Sequence, residues 1–147
     1  MQAAMIREVE AVLGFYNSNN RAIAPLDDED TERCVYHATS CSPGCAIGRR
    51  MTEAELQQWG SHMGSVGSIY VAARCGGGPV LSYWDRFPMP FLSSLQDLHD
   101  QAINWNDRGL SDVGRRKASR LIEKIADGFY WLSSPAWAPA APLKSPE

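Results

Sequence analysis

Hydrophobic positions recur at helical spacing over residues 2–16, where Met5, Val9, Val12 and Tyr16 form one stripe with Ile6 and Leu13 beside it. Arg7, Glu8 and Glu10 fall mostly on the other side, and Asn17-Ser-Asn-Asn20 ends the pattern. This predicts an amphipathic helix packed on a core. A second helical stripe runs from Phe91 to Trp105 through Leu92, Leu95, His99 and Ala102, flanked by Leu98 and Ile103. A third follows Ser111, an N-cap residue, through Ala118, Leu121, Ile122, Ile125 and Phe129. Thr52-Glu-Ala-Glu55 has the spacing of a capping box, with Met51 and Leu56 placed as a hydrophobic staple. A short helix over 52–61 follows from it.

Between these helices the pattern changes. Cys34-Val-Tyr36 carries β-type residues and predicts a strand. Ser42-Pro-Gly44 is a turn, and Cys45-Ala-Ile-Gly48 follows as a tightly packed strand or helix start, the pieces together reading as a small hairpin. Ile69–Ala73 is apolar and fits a buried strand or a helical turn, with a flexible break over 64–68 before it. Val80–Trp84 is a second strand candidate. The predicted fold is therefore α+β, a small antiparallel hairpin or sheet packed against three or four helices. Residues 1–132 form a single globular domain. Residues 133–147 are a Pro/Ala-rich tail with Pro135, Pro139, Pro142 and Pro146 and no periodic apolar face, which predicts disorder.

Composition narrows the class. The chain has 147 residues, 44% of them hydrophobic and 21% charged, as in ordinary globular proteins. A net charge of −3 gives no reason to expect nucleic acid as a direct partner. The acidic run Asp27-Asp-Glu-Asp30 reads as a solvated loop. No apolar run is long enough to span a bilayer, and the N-terminus lacks a signal-peptide core, so a cytoplasmic location is expected with no membrane contact. Cytosolic thiols stay reduced, so the cysteines point to metal, catalysis or burial before disulfides. Gly76-Gly-Gly78 lacks both nucleotide-binding patterns.

The stretch from Cys34 to Arg49 concentrates the chemistry. Cys34, His37, Cys41 and Cys45 are four soft ligands at short spacing, a set that zinc would take as a structural ion. No other cofactor is indicated. Cys45 is also a candidate nucleophile, with His99 as its base and Asp100, Asp97 or Asn104 as orienter, in the order used by some thiol hydrolases. A third reading makes the set a structural polar cluster, with function on the surface. Trp59, Tyr83, Trp84 and Trp105 are then candidate contact residues. The basic face of the last helix, with Arg115, Arg116, Lys117, Arg120 and Lys124, is a solvated surface or a dock for an acidic partner.

Cys34-x-Tyr36 with Gly44-Cys-Ala-Ile-Gly48, and Leu95-Gln-x-x-His99-Asp100 with Asn104-Trp105, resemble motifs of an uncharacterised group of small phage and bacterial proteins. In outline the resemblance covers residues 30–125. It implies Cys34, Cys45, His99 and Asp100 as the shared polar set. The group's segment after Cys-Ala-Ile-Gly is replaced here by Arg49-Arg-Met-Thr-Glu-Ala-Glu55. The resemblance implies a small accessory protein that binds and modulates a host or defence macromolecule, with a host or bacterial protein as partner. The alternatives are the cysteine-nucleophile enzyme and a zinc-stabilised binding module.

Overall fold

The structure, a computed structural model, describes residues 1–20, 23–25, 32–34, 36, 44–60, 65–76 and 81–132, with the backbone alone at 23–25, 32–34, 74 and 131–132. The predicted tail over 133–147, the acidic run 27–30, His37 and Cys41 lie outside the described residues. Five α-helices are described, with a two-stranded antiparallel hairpin packed against them. They are α1 (Gln2–Phe15), α2 (Glu53–Trp59), α3 (Val66–Arg74), α4 (Met89–Asp100) and α5 (Asp112–Ala126). The hairpin pairs β1 (Ile23–Pro25) with β2 (Glu32–Cys34), in register Ile23 to Cys34. A second, two-residue ladder joins β3 (Trp105–Asn106) to β4 (Gly109–Leu110).

The core is assembled from the stripes that periodicity marks. Met5, Val9 and Val12 of α1 meet Phe91, Leu92 and Leu95 of α4 and Ala118, Leu121 and Ile125 of α5 in one buried cluster. α1 packs on α4 and α5, α3 packs on α4, and β2 lies against α4. α4 is thus the central element. Trp84, Phe87 and Phe91 add an aromatic column, with the Phe87 and Phe91 rings stacked at 5.6 Å.

Local signals set the helix starts. Thr52 and Glu55 form the full capping box of α2. Ser111 Oγ accepts from the Gly114 amide at 3.1 Å and caps α5. Ser65 does the same for α3 through the Ser68 amide. Residues 66–68, expected to be part of a flexible break, are therefore the first turn of a helix. Ile69–Ala73 is helical as well, because the Ser65 cap starts a turn that the apolar run continues.

Three expectations are corrected. The strand at Cys34 pairs with Ile23–Pro25, not with the Cys45–Gly48 segment. Cys45-Ala-Ile47 instead turns into a short 3-10 helix over Gly48–Arg50, with the Arg49 amide donating to the Cys45 carbonyl at 3.0 Å. Residues 82–86 form turns, not a strand, because Leu81 and Trp84 close a local backbone bond and Trp84 and Phe87 another. The long stripe 91–105 breaks at Gln101. There the Asn104 and Trp105 side chains double back and donate to the Leu98 carbonyl at 3.1 and 2.9 Å. They satisfy an acceptor that a helix end leaves orphaned, and the chain departs into β3.

Candidate functional site

The two sequence motifs meet in the core. Gly44 takes a left-handed φ of +94°, turning the chain so that Cys45, Ala46 and Ile47 are fully enclosed. The carbonyls left free by this turn are met by distant side chains. Tyr16 donates its hydroxyl to the Gly44 carbonyl at 2.8 Å, and the Trp84 indole N–H donates to the Ile47 carbonyl at 2.8 Å. On α4, Gln96 accepts from the Val66 amide at 2.9 Å and donates to the Tyr36 hydroxyl at 3.0 Å. One buried amide therefore ties α3, α4 and the Cys-x-Tyr segment together. Burial raises the Tyr16 and Tyr36 hydroxyls well above the phenol range, and the Asp100 charge adds to this. Both remain neutral, Tyr16 donating to Gly44 and Tyr36 accepting from Gln96.

His99 is completely buried, and its Nδ1 lies 2.6 Å from Asp100 Oδ1. The Tyr16 ring meets the imidazole edge to face at 4.5 Å. Tyr16 thus contacts both the His99 helix and the Gly44–Cys45 turn. Periodicity placed Tyr16 at the end of the α1 stripe and carried no sign of this bridging role.

Cys45 is disulfide-bonded and has no exposed surface. In this state its sulfur is neither a nucleophile nor a thiolate ligand, because both roles need the thiolate. The expectation of reduced thiols is corrected at this position. The Cys45 sulfur also accepts from the Gly48 amide at 3.3 Å. Cys75 is a free, exposed thiol. Of the four expected zinc ligands, Cys34 is placed by its backbone in β2, while His37 and Cys41 lie outside the described residues. Among the described residues no cluster of three metal-ligating side chains occurs.

The expected contact aromatics divide. Trp59, Trp84 and Trp105 are core residues. Tyr83 is half-buried and lies within 4.8 Å of the Arg50 guanidinium and 5.3 Å of that of Arg86. Its hydroxyl donates to Glu8. Glu8, assigned by periodicity to the solvent side of α1, is in fact buried. It ion-pairs with Arg49, and Arg50 approaches at 3.6 Å. These partners lie 41 and 75 residues away for Arg49 and Tyr83, so no local pattern signals them.

An open concavity lies elsewhere, between α4 and α5. It has a volume of about 260 Å³, with Leu98 and Leu121 among its apolar lining. Lys117, Arg120 and Lys124 of α5 line it, and Asp97 of α4 faces them. Desolvation and the neighbouring Asp100 raise the Asp97 carboxyl, while Lys117 lowers it. No family model, curated protein sequence or solved structure matches this chain.

Proposed function

We propose that the protein is a small accessory protein of phage or prophage type that acts by binding a host or defence macromolecule and modulating it. The observation that carries this reading is the enclosure of the reactive motif. Cys45 is held in a disulfide inside the core and His99 is walled in beside Asp100 and Tyr16. A Cys45–His99 hydrolase would have to open the disulfide and part the core before any substrate met the sulfur. The motif instead builds a rigid body whose outer surface is available for contact. The motif resemblance to small phage and bacterial proteins supports the same reading, and the partner is a protein.

The cytoplasmic setting belongs to this reading too. Among the described residues no helix is long and apolar enough to cross a membrane. Cytosolic thiol pools act to open exposed disulfides, but the Cys45 sulfur is enclosed in the core. Fractionation of the native host's cells tests the location. Recovery of the protein outside the cytoplasmic fraction would overturn a cytoplasmic site of action.

Two assays separate binding from catalysis. Affinity capture with the full chain from the native host should retain a defined host protein at stoichiometric yield. Native, non-reducing labelling with iodoacetamide should modify Cys75 and leave Cys45 unlabelled. Rapid labelling of Cys45 with loss of a thiol-dependent hydrolytic activity would replace the binding reading with the enzyme.

A further inference from the structure

The groove between α4 and α5 combines an apolar floor with a one-sided charge. Lys117, Arg120 and Lys124 set three cations along it, and Asp97 is the one acid in its lining. Lys117 is steadied by its hydrogen bond to the Gln101 side chain. Among the described residues neither Arg120 nor Lys124 has an ion-pair partner. Lys124 lies 5.3 Å from the ring of Phe129, which stays 56% exposed. Tyr130 bonds Ser94 at 3.2 Å and ties the segment after α5 to α4.

The spacing selects the ligand. Positions 117 and 124 lie about 10 Å apart along the helix axis, at about 1.5 Å per residue. Three cations strung along one helix face over that length match a row of charges better than a single tetrahedral anion. An extended peptide covers it with about three residues, at about 3.3 Å each. A nucleic-acid duplex is far too broad for a cavity of about 260 Å³. The apolar floor adds a requirement that a purely acidic chain does not meet.

We propose that this groove binds an acidic, extended segment of the partner protein. An apolar side chain of the segment sits on Leu98 and Leu121, and its carboxylates meet Lys117, Arg120 and Lys124. This inference rests on the binding reading above and names the chemistry of its partner.

The test uses the full chain and a labelled short peptide of Asp and Glu around a central Leu, with the Gln/Asn version as control. Fluorescence anisotropy should show binding of the acidic peptide, weakening as salt rises. Amide shifts should cluster on α4 and α5. Arg120 and Lys124 are exposed, so Arg120→Glu with Lys124→Glu leaves the core untouched. Like charges facing the peptide should lower its affinity by about tenfold or more. Lys117→Ala is a milder variant with the same direction of effect. Equal binding of the neutral peptide, undiminished binding by the reversed variant, or tighter binding of a single-stranded oligonucleotide would each overturn the proposal. Host capture separates the two readings. Charge-reversed protein that still captures the host protein at wild-type level overturns the groove and leaves the binding reading intact. Peptide binding with no host protein captured overturns the binding reading alone.

Discussion

Gly48 lies directly against the backbone of Tyr36: a Cβ on Gly48 would stand 2.0 Å from the Tyr36 carbonyl oxygen. The neighbour is backbone, so no rotamer change relieves the contact. This approach joins the Cys-Ala-Ile-Gly turn to the Cys-x-Tyr segment and explains why the turn ends in glycine. Gly114 plays the same part for α5, where a Cβ would stand 2.1 Å from the Asn104 carbonyl.

Gly48→Ala should therefore destabilise the fold by about 3 kcal/mol or more, the upper range for overpacking a tight site. Gly14→Ala is the contrasting case, since nothing lies within 4 Å of a Cβ there. At that helical position alanine should gain about 0.5 kcal/mol. Urea unfolding of both variants checks the pair. A Gly48→Ala protein of wild-type stability would mean that the two segments are not packed this way.

The Glu8–Arg49 pair should behave as a coupled unit. Arg49→Met leaves a buried carboxylate with Tyr83 and the outlying Arg50, and should cost about 3–5 kcal/mol. Glu8→Gln with Arg49→Met removes the stranded charge as well. The double variant should be more stable than the sum of the single losses predicts, by about 1 kcal/mol or more. Strictly additive losses in a double-mutant cycle would show that the pair contributes nothing jointly.

Glu55 makes acid stability testable. Burial by itself raises its carboxyl, but hydrogen bonds from the Thr52 and Ser82 amides and from their hydroxyls outweigh this and hold it below its ordinary value. The Ser82 amide is 2.5 Å and the Thr52 amide 2.6 Å from the carboxylate. With the folded value depressed, the unfolded chain binds the proton more readily. The stabilisation is fully present above the unfolded value and is lost as pH falls through the folded one. Glu55→Gln should therefore lower stability at neutral pH. Its gap to wild type should narrow as pH drops below the ordinary glutamate value of about 4.3. A gap that stays constant down to acid pH would show that the depressed carboxylate is not its source.

Hydrophobic periodicity by itself determined α1, α4 and α5, because each carries a continuous apolar stripe that any packing partner would bury. Capping chemistry determined the start of α2 and of α5, since Thr52 with Glu55 and Ser111 act on amides three residues away. Both signals are local, and they settle most of the helical framework and its core.

The rest depended on contacts across long sequence separations. β2 pairs with Ile23–Pro25, a choice made by register and by the α4 surface rather than by β propensity at Cys34. Glu8 is buried because Arg49 and Tyr83 converge on it, although its place on α1 reads as solvent-facing. The cluster of Cys45, His99 and Asp100 was visible as a set of reactive residue types. Only the tertiary structure decided that Cys45 is a half-cystine in the core and that His99 packs on Tyr16. A residue's type sets the chemistry open to it, but access to solvent and the state of its partner decide which chemistry it can perform. The groove beside α5 has the same origin. Lys117, Arg120 and Lys124 read as a basic helix face, and it is α4 across from them that turns the face into a cleft.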